Sequence, residues 1–132
     1  MMRQKVTCND TIRDIKKQFR TRFPGLKLEF DLVAYSDKAG SILEKKISDF
    51  ILPEKMKKRL KDCSFDYMPS ITIADFEQGL QKVFGIPVKV FRKAGNLWVE
   101  IIQTANLTLE RQNGMGLAIS RPVRFNLNSL FL

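Results

Sequence analysis

Two stretches of the chain carry the same pattern of apolar and polar positions. Residues 11–30 read TIRDIKKQFRTRFPGLKLEF and residues 72–90 read TIADFEQGLQKVFGIPVKV. Ile12, Ile15 and Phe19 recur at helical spacing in the first, as do Ile73, Phe76, Leu80 and Phe84 in the second. A threonine precedes each run, with an aspartate three residues on (Thr11 and Asp14, Thr72 and Asp75). A hydroxyl there accepts from a free helix N–H, and the acid sits near the positive helix end. Gly25 and Gly85 are then expected to stop the helices in a left-handed or otherwise glycine-favoured conformation. Beyond them, Leu26, Leu28 and Phe30 alternate with polar residues, as Ile86, Val88 and Val90 do, which predicts strands with one buried face. With Pro24 skipped the two stretches align from end to end, so the pattern predicts a helix–turn–strand unit used twice, the product of an internal duplication.

The intervening and flanking segments predict further elements. Residues 3–8 read as a short strand, with residues 68–72 in the same place before the second helix. Lys93-Ala94-Gly95-Asn96 reads as a hairpin turn. Residues 97–103 form the return strand, with Leu97, Val99 and Ile101 on the core face and Trp98, Glu100 and Ile102 on the other. Residues 107–113 predict a short helix ended by Gly114. Pro53 opens a helix to about Asp62, residues 42–51 have no fixed ends, and the tail 121–132 is either an edge strand or loose. The sum is an α+β single domain over residues 1–132, with four to six mostly antiparallel strands packed by helices. A ferredoxin-like βαββαβ arrangement or a related, less regular one fits.

Composition narrows the setting. A chain of 132 residues, 44% hydrophobic, suits one core, and its 10 Phe serve packing because the ring has no polar handle. With 23 Lys+Arg against 14 Asp+Glu the net charge is +9, which favours acidic partners. Cys8 and Cys63 are too few to staple a small secreted domain and are expected as free thiols in a reducing cytosol. No apolar run suits a signal peptide or a membrane span, so the expected location is cytoplasmic, away from membranes.

Catalytic chemistry finds little material. The chain has no histidine, which removes Ser-His-Asp and Cys-His nucleophilic catalysis. Neither a phosphate-binding loop nor a dinucleotide fingerprint occurs. Glu29 and Asp31 share a strand face but read as an exposed edge. No catalytic residue, metal ligand or cofactor is assigned, and the protein is read as no enzyme.

The basic residues carry more information. Arg13, Lys16, Lys17 and Arg20 form a stripe opposite the apolar face of the first helix, with Arg22 beside it. Ala74, Glu77, Gln78 and Gln81 stand in their places in the second unit, so the fold unit does not require a basic face. A second cluster is Lys55, Lys57, Lys58, Arg59 and Lys61. Such cations neutralise phosphates. Base recognition also requires exposed aromatics. Phe91 and Trp98 read as core beneath the C-terminal helix, with a stacking platform as the alternative.

The run VFRKAGNLWV (residues 90–99) and the segment LTLERQN (residues 107–113) resemble small uncharacterised bacterial proteins with a V-F-R-K-x-G-x-x-W hairpin and a T-L-x-x-Q-N helix. The likeness covers roughly the second half of the chain. It implies the hairpin and the short helix and brings no site residues. The sequence reading is a small non-enzymatic binding or interaction module, with a nucleic-acid-binding protein using the basic helix face as the alternative. The partner is an unknown protein or nucleic acid, and a homodimer through the C-terminal strand is left open.

Overall fold

The computed structural model describes residues 3–31 and 64–120. The expected elements at 42–51, 53–62 and 121–132 lie outside the described residues. The others run β1 (Gln4–Thr7), α1 (Ile12–Arg22), β2 (Leu26–Phe30), β3 (Ser64–Tyr67), α2 (Ile73–Phe84), β4 (Val88–Ala94), β5 (Leu97–Glu100) and α3 (Leu109–Ser120). This is an α+β fold in a single domain, as the patterning predicts.

The first two helices begin alike. Thr11 and Thr72 both hold extended backbone, and their Oγ1 atoms accept from the N–H of Asp14 at 3.1 Å and of Asp75 at 3.2 Å. They end differently. Gly85 caps α2 at φ 67°, in the left-handed region where a Cβ is penalised. Gly25 does not play this part. α1 already ends at Phe23, whose N–H returns to Phe19 O at 2.7 Å, and Gly25 has no positive φ. Its lack of a side chain serves a close crossing instead: a Cβ there would stand 2.6 Å from Asn113 O of α3.

The described strands divide between two antiparallel sheets. β1 pairs with β3, and β2–β4–β5 form a three-stranded sheet. Leu28 lies opposite Val90 and Phe30 opposite Val88, so the strands of the two helix–strand units pair with each other. Helix faces and sheet meet in one core. Phe19 stacks on Phe76 with centroids 5.2 Å apart, Tyr67 meets Phe76 edge-on at 4.7 Å, and Phe30 meets Phe84 edge-on at 5.7 Å. Fully burying such a side chain contributes about 1.5–3 kcal/mol.

Three expectations need correction. The return strand stops at Glu100, and its expected core face is largely exposed: Leu97 is 69% and Val99 49% accessible, and of that set only Ile101 is buried. Among the described strands β5 lies at the sheet edge, and no described helix covers its outer part. The short C-terminal helix is longer than expected and runs through Gly114 to Ser120, because tertiary contact with β2 and β4 outweighs the two glycines. Finally, Cys8 is fully buried and disulfide-bonded rather than a free thiol. Cys63, the other cysteine of the sequence, lies outside the described residues. Disulfides persist in oxidising surroundings, so the thiol argument for a cytosolic setting does not hold.

Candidate polyanion interface

A strand sends alternate side chains to opposite faces, and residues directly opposite one another share a face. The register therefore sorts the three-stranded sheet. Leu26, Leu28, Phe30, Val88, Val90 and Arg92 lie on the core side, while Lys27, Glu29, Lys89, Phe91, Lys93, Trp98 and Glu100 lie on the other. The second set mixes cations with two half-buried aromatic rings.

The helix stripe joins this face in part. Lys16 Nζ lies 3.3 Å and Lys27 Nζ 3.4 Å from the two carboxylate oxygens of Glu29. Glu29 lies on β2, an edge strand among the described strands, as its exposed-edge reading has it, and there its carboxylate is held between two ammonium groups. Arg20 places its guanidinium 4.9 Å from the Trp98 ring centroid, and Lys27 Nζ is 5.3 Å from Trp98 and 5.5 Å from Phe91. These are cation–π distances. Lys17 points elsewhere, lining a groove of about 520 Å³ with Gln4, Asp14, Gln18, Thr21 and Arg22. Arg13 is exposed. The stripe is therefore split, with Lys16 and Arg20 toward the sheet and Lys17 toward the groove. Lys55, Lys57, Lys58, Arg59 and Lys61 lie outside the described residues.

Phe91 and Trp98 do not form core beneath the C-terminal helix. α3 engages the Arg92 side chain of β4, on the opposite face from Phe91. Arg92 Nη1 donates to Gln112 Oε1 at 2.8 Å, and the fully buried Gln112 donates through Nε2 to Thr104 O at 2.8 Å and Oγ1 at 2.9 Å. Gly25 N donates to Asn113 Oδ1 at 2.7 Å. These bonds fix α3 on the core side, and α1 cations flank the rings on the other.

Among the described residues two ionisable groups are perturbed. Burial raises the Tyr67 hydroxyl to about 12, with Arg22 pulling the other way, so it stays protonated at neutral pH. Glu77 is raised by desolvation, against the hydrogen bond from Val90 N at 2.8 Å and the charge of Lys89, with Glu100 adding to the rise. Tyr67 belongs to the core, whereas Glu77 meets the sheet at Val90, close enough to Lys89 and Glu100 of the outer face to feel their charge. Among the described residues no group of three or more potential ligands could hold a metal ion, and no helix is long and apolar enough to cross a membrane.

Lys27 is the residue that sequence reasoning missed. Its place on the polar side of β2 is legible from the alternation of Leu26 and Leu28. Its meeting with Phe91 and Trp98 depends on the pairing of three strands. Comparison with protein-family models, curated proteins and solved structures finds no match to this chain.

Proposed function

We propose that the protein is a non-enzymatic binding module whose ligand is an extended polyanion, with nucleic acid the class that fits. The observation that carries this reading is the gathering of Lys16, Arg20 and Lys27 around Trp98 and Phe91 on one sheet face. Cations alone suit any acidic surface, whereas cations interleaved with aromatic rings suit a phosphate chain bearing flat bases. The net charge of +9 supports the same reading. So does α2, which fills a comparable place in the fold with Ala74, Gln78 and Gln81, so a basic face is not a requirement of folding. We also read the two helix–strand units as products of one duplication, supported by their shared threonine caps and by the pairing of β2 with β4.

The test is retention on heparin and on mixed-sequence DNA and RNA across a salt series, under oxidising conditions that keep the Cys8 disulfide. Replacing Arg13, Lys16, Lys17 and Arg20 together by Gln should leave the fold intact, since exposed substitutions shift stability by about 0.5 kcal/mol or less each. Affinity should fall, and the slope of log affinity against log salt should shrink by about one for each phosphate that is no longer neutralised. A folded variant that binds as tightly as wild type, with the same slope, removes this face as the binding surface.

A further inference from the structure

We infer that Trp98, backed by Phe91, is a stacking platform that makes the ligand single-stranded nucleic acid rather than a duplex or an acidic protein; this rests on the polyanion reading above. Trp98 stands on the edge strand β5, on the face away from the core, and is half-buried. Two cations lie against its ring. Arg20, an exposed residue, lies over the ring at 4.9 Å, and the Lys27 ammonium is 5.3 Å from it. Among the described residues Arg20 has no carboxylate partner. It can therefore swing from the ring to a phosphate when a base takes its place, so ring and cation serve one nucleotide together.

The Lys27 ammonium reaches both rings, that of Trp98 and that of Phe91, the second candidate base site. Glu29 is neutralised by Lys16 and Lys27, so it does not repel a phosphate there. Glu100, opposite Phe91 on the same face, has no cationic partner among the described residues. It turns the phosphate path away from that end and toward Arg20 and Lys16. A duplex keeps its bases stacked inside and offers none to these rings, whereas single strands present unstacked bases.

The chain has one tryptophan, so its fluorescence reports Trp98 alone. Three ligands are titrated at low salt: a 12-nucleotide oligothymidylate, an abasic 12-mer of the same phosphate charge, and polyglutamate. Oligothymidylate should quench Trp98 and bind about 5- to 150-fold more tightly than the abasic chain, the range that one stacked base supplies. Trp98→Leu, which keeps an apolar side chain on the edge strand, should erase that preference while leaving abasic binding in place. Should Trp98→Leu fail to fold, the wild-type quenching and the affinity ratio still decide. Equal affinity for the two 12-mers with unchanged fluorescence overturns stacking and leaves the polyanion reading standing. Polyglutamate binding as tight as oligothymidylate also overturns it, in favour of an acidic protein. Failure of all three to bind overturns both readings.

Discussion

At Gly116 a single hydrogen atom decides whether α3 can lie against β2. A Cβ there would come within 2.5 Å of Gly25 O, which already accepts from Lys93 N at 2.9 Å. Neither partner is the end of a flexible side chain, so the helix itself would have to move. Gly116→Ala should destabilise by about 1–3 kcal/mol, the usual cost of overpacking. Gly114, two residues earlier, faces open space and is helical. Gly114→Ala should instead stabilise by about 0.5–1 kcal/mol through helix propensity. Urea unfolding of the two variants checks the opposite signs, and equal midpoints would contradict the crossing. The sequence shows two glycines in a helix-like segment and suggests a stop. That one of them is a contact point depends on Gly25, 91 residues away in the chain.

At the scale of elements, α2 does more than bury an apolar stripe. β5 ends at Glu100, and beyond it the Val90 N–H of β4 finds its acceptor in the Glu77 carboxylate. An unpaired buried N–H is costly, so this bond substitutes for a missing strand residue. Desolvation raises the pKa of Glu77 above its ordinary 4.5. The folded state therefore holds this proton more tightly than the unfolded chain, and stability falls as pH rises from about 4.5 through the raised folded value. Glu77→Gln keeps an acceptor for Val90 and removes the titration. Its stability relative to wild type should improve steadily across that window and level off above it, as read from urea midpoints between acid and neutral pH. A difference that does not change with pH would show that Glu77 is not perturbed. The equivalent position in α1 is Lys16, which pairs with Glu29 instead. The same helix face thus meets the sheet through opposite charges in the two units.

On the scale of the molecule, β1 and β3 form, among the described strands, a two-stranded ladder, a size that is marginal by itself. Two things hold it. Val6 and Tyr67 enter the core, and Cys8, directly after the Thr7–Ser64 pair, is buried in a disulfide. Reduction, or Cys8→Ser, should lower stability by about 2–4 kcal/mol. Thermal unfolding with and without dithiothreitol measures this, and coincident transitions would show that the bond adds nothing. Polyanion binding should survive reduction wherever the protein stays folded, because the face around Trp98 is built on the other sheet.

The information legible in the sequence is local. Threonine caps, helical spacing and two-residue alternation depend on neighbours within a turn or a strand, and α1, β2, α2, β4 and the Gly95–Asn96 turn follow from them. The cationic stripe on α1 is legible for the same reason. What those faces meet is set by contacts between distant segments. Strand register puts Lys27 beside Phe91 and carries Trp98 to the face away from α3, and no pattern within β5 says which of its faces is covered. Leu97 and Val99 read as core from alternation alone, yet they stand exposed, with none of the described helices covering that part of β5. Burial is a property of the neighbours an element acquires, and for an edge strand those neighbours lie far away in the chain.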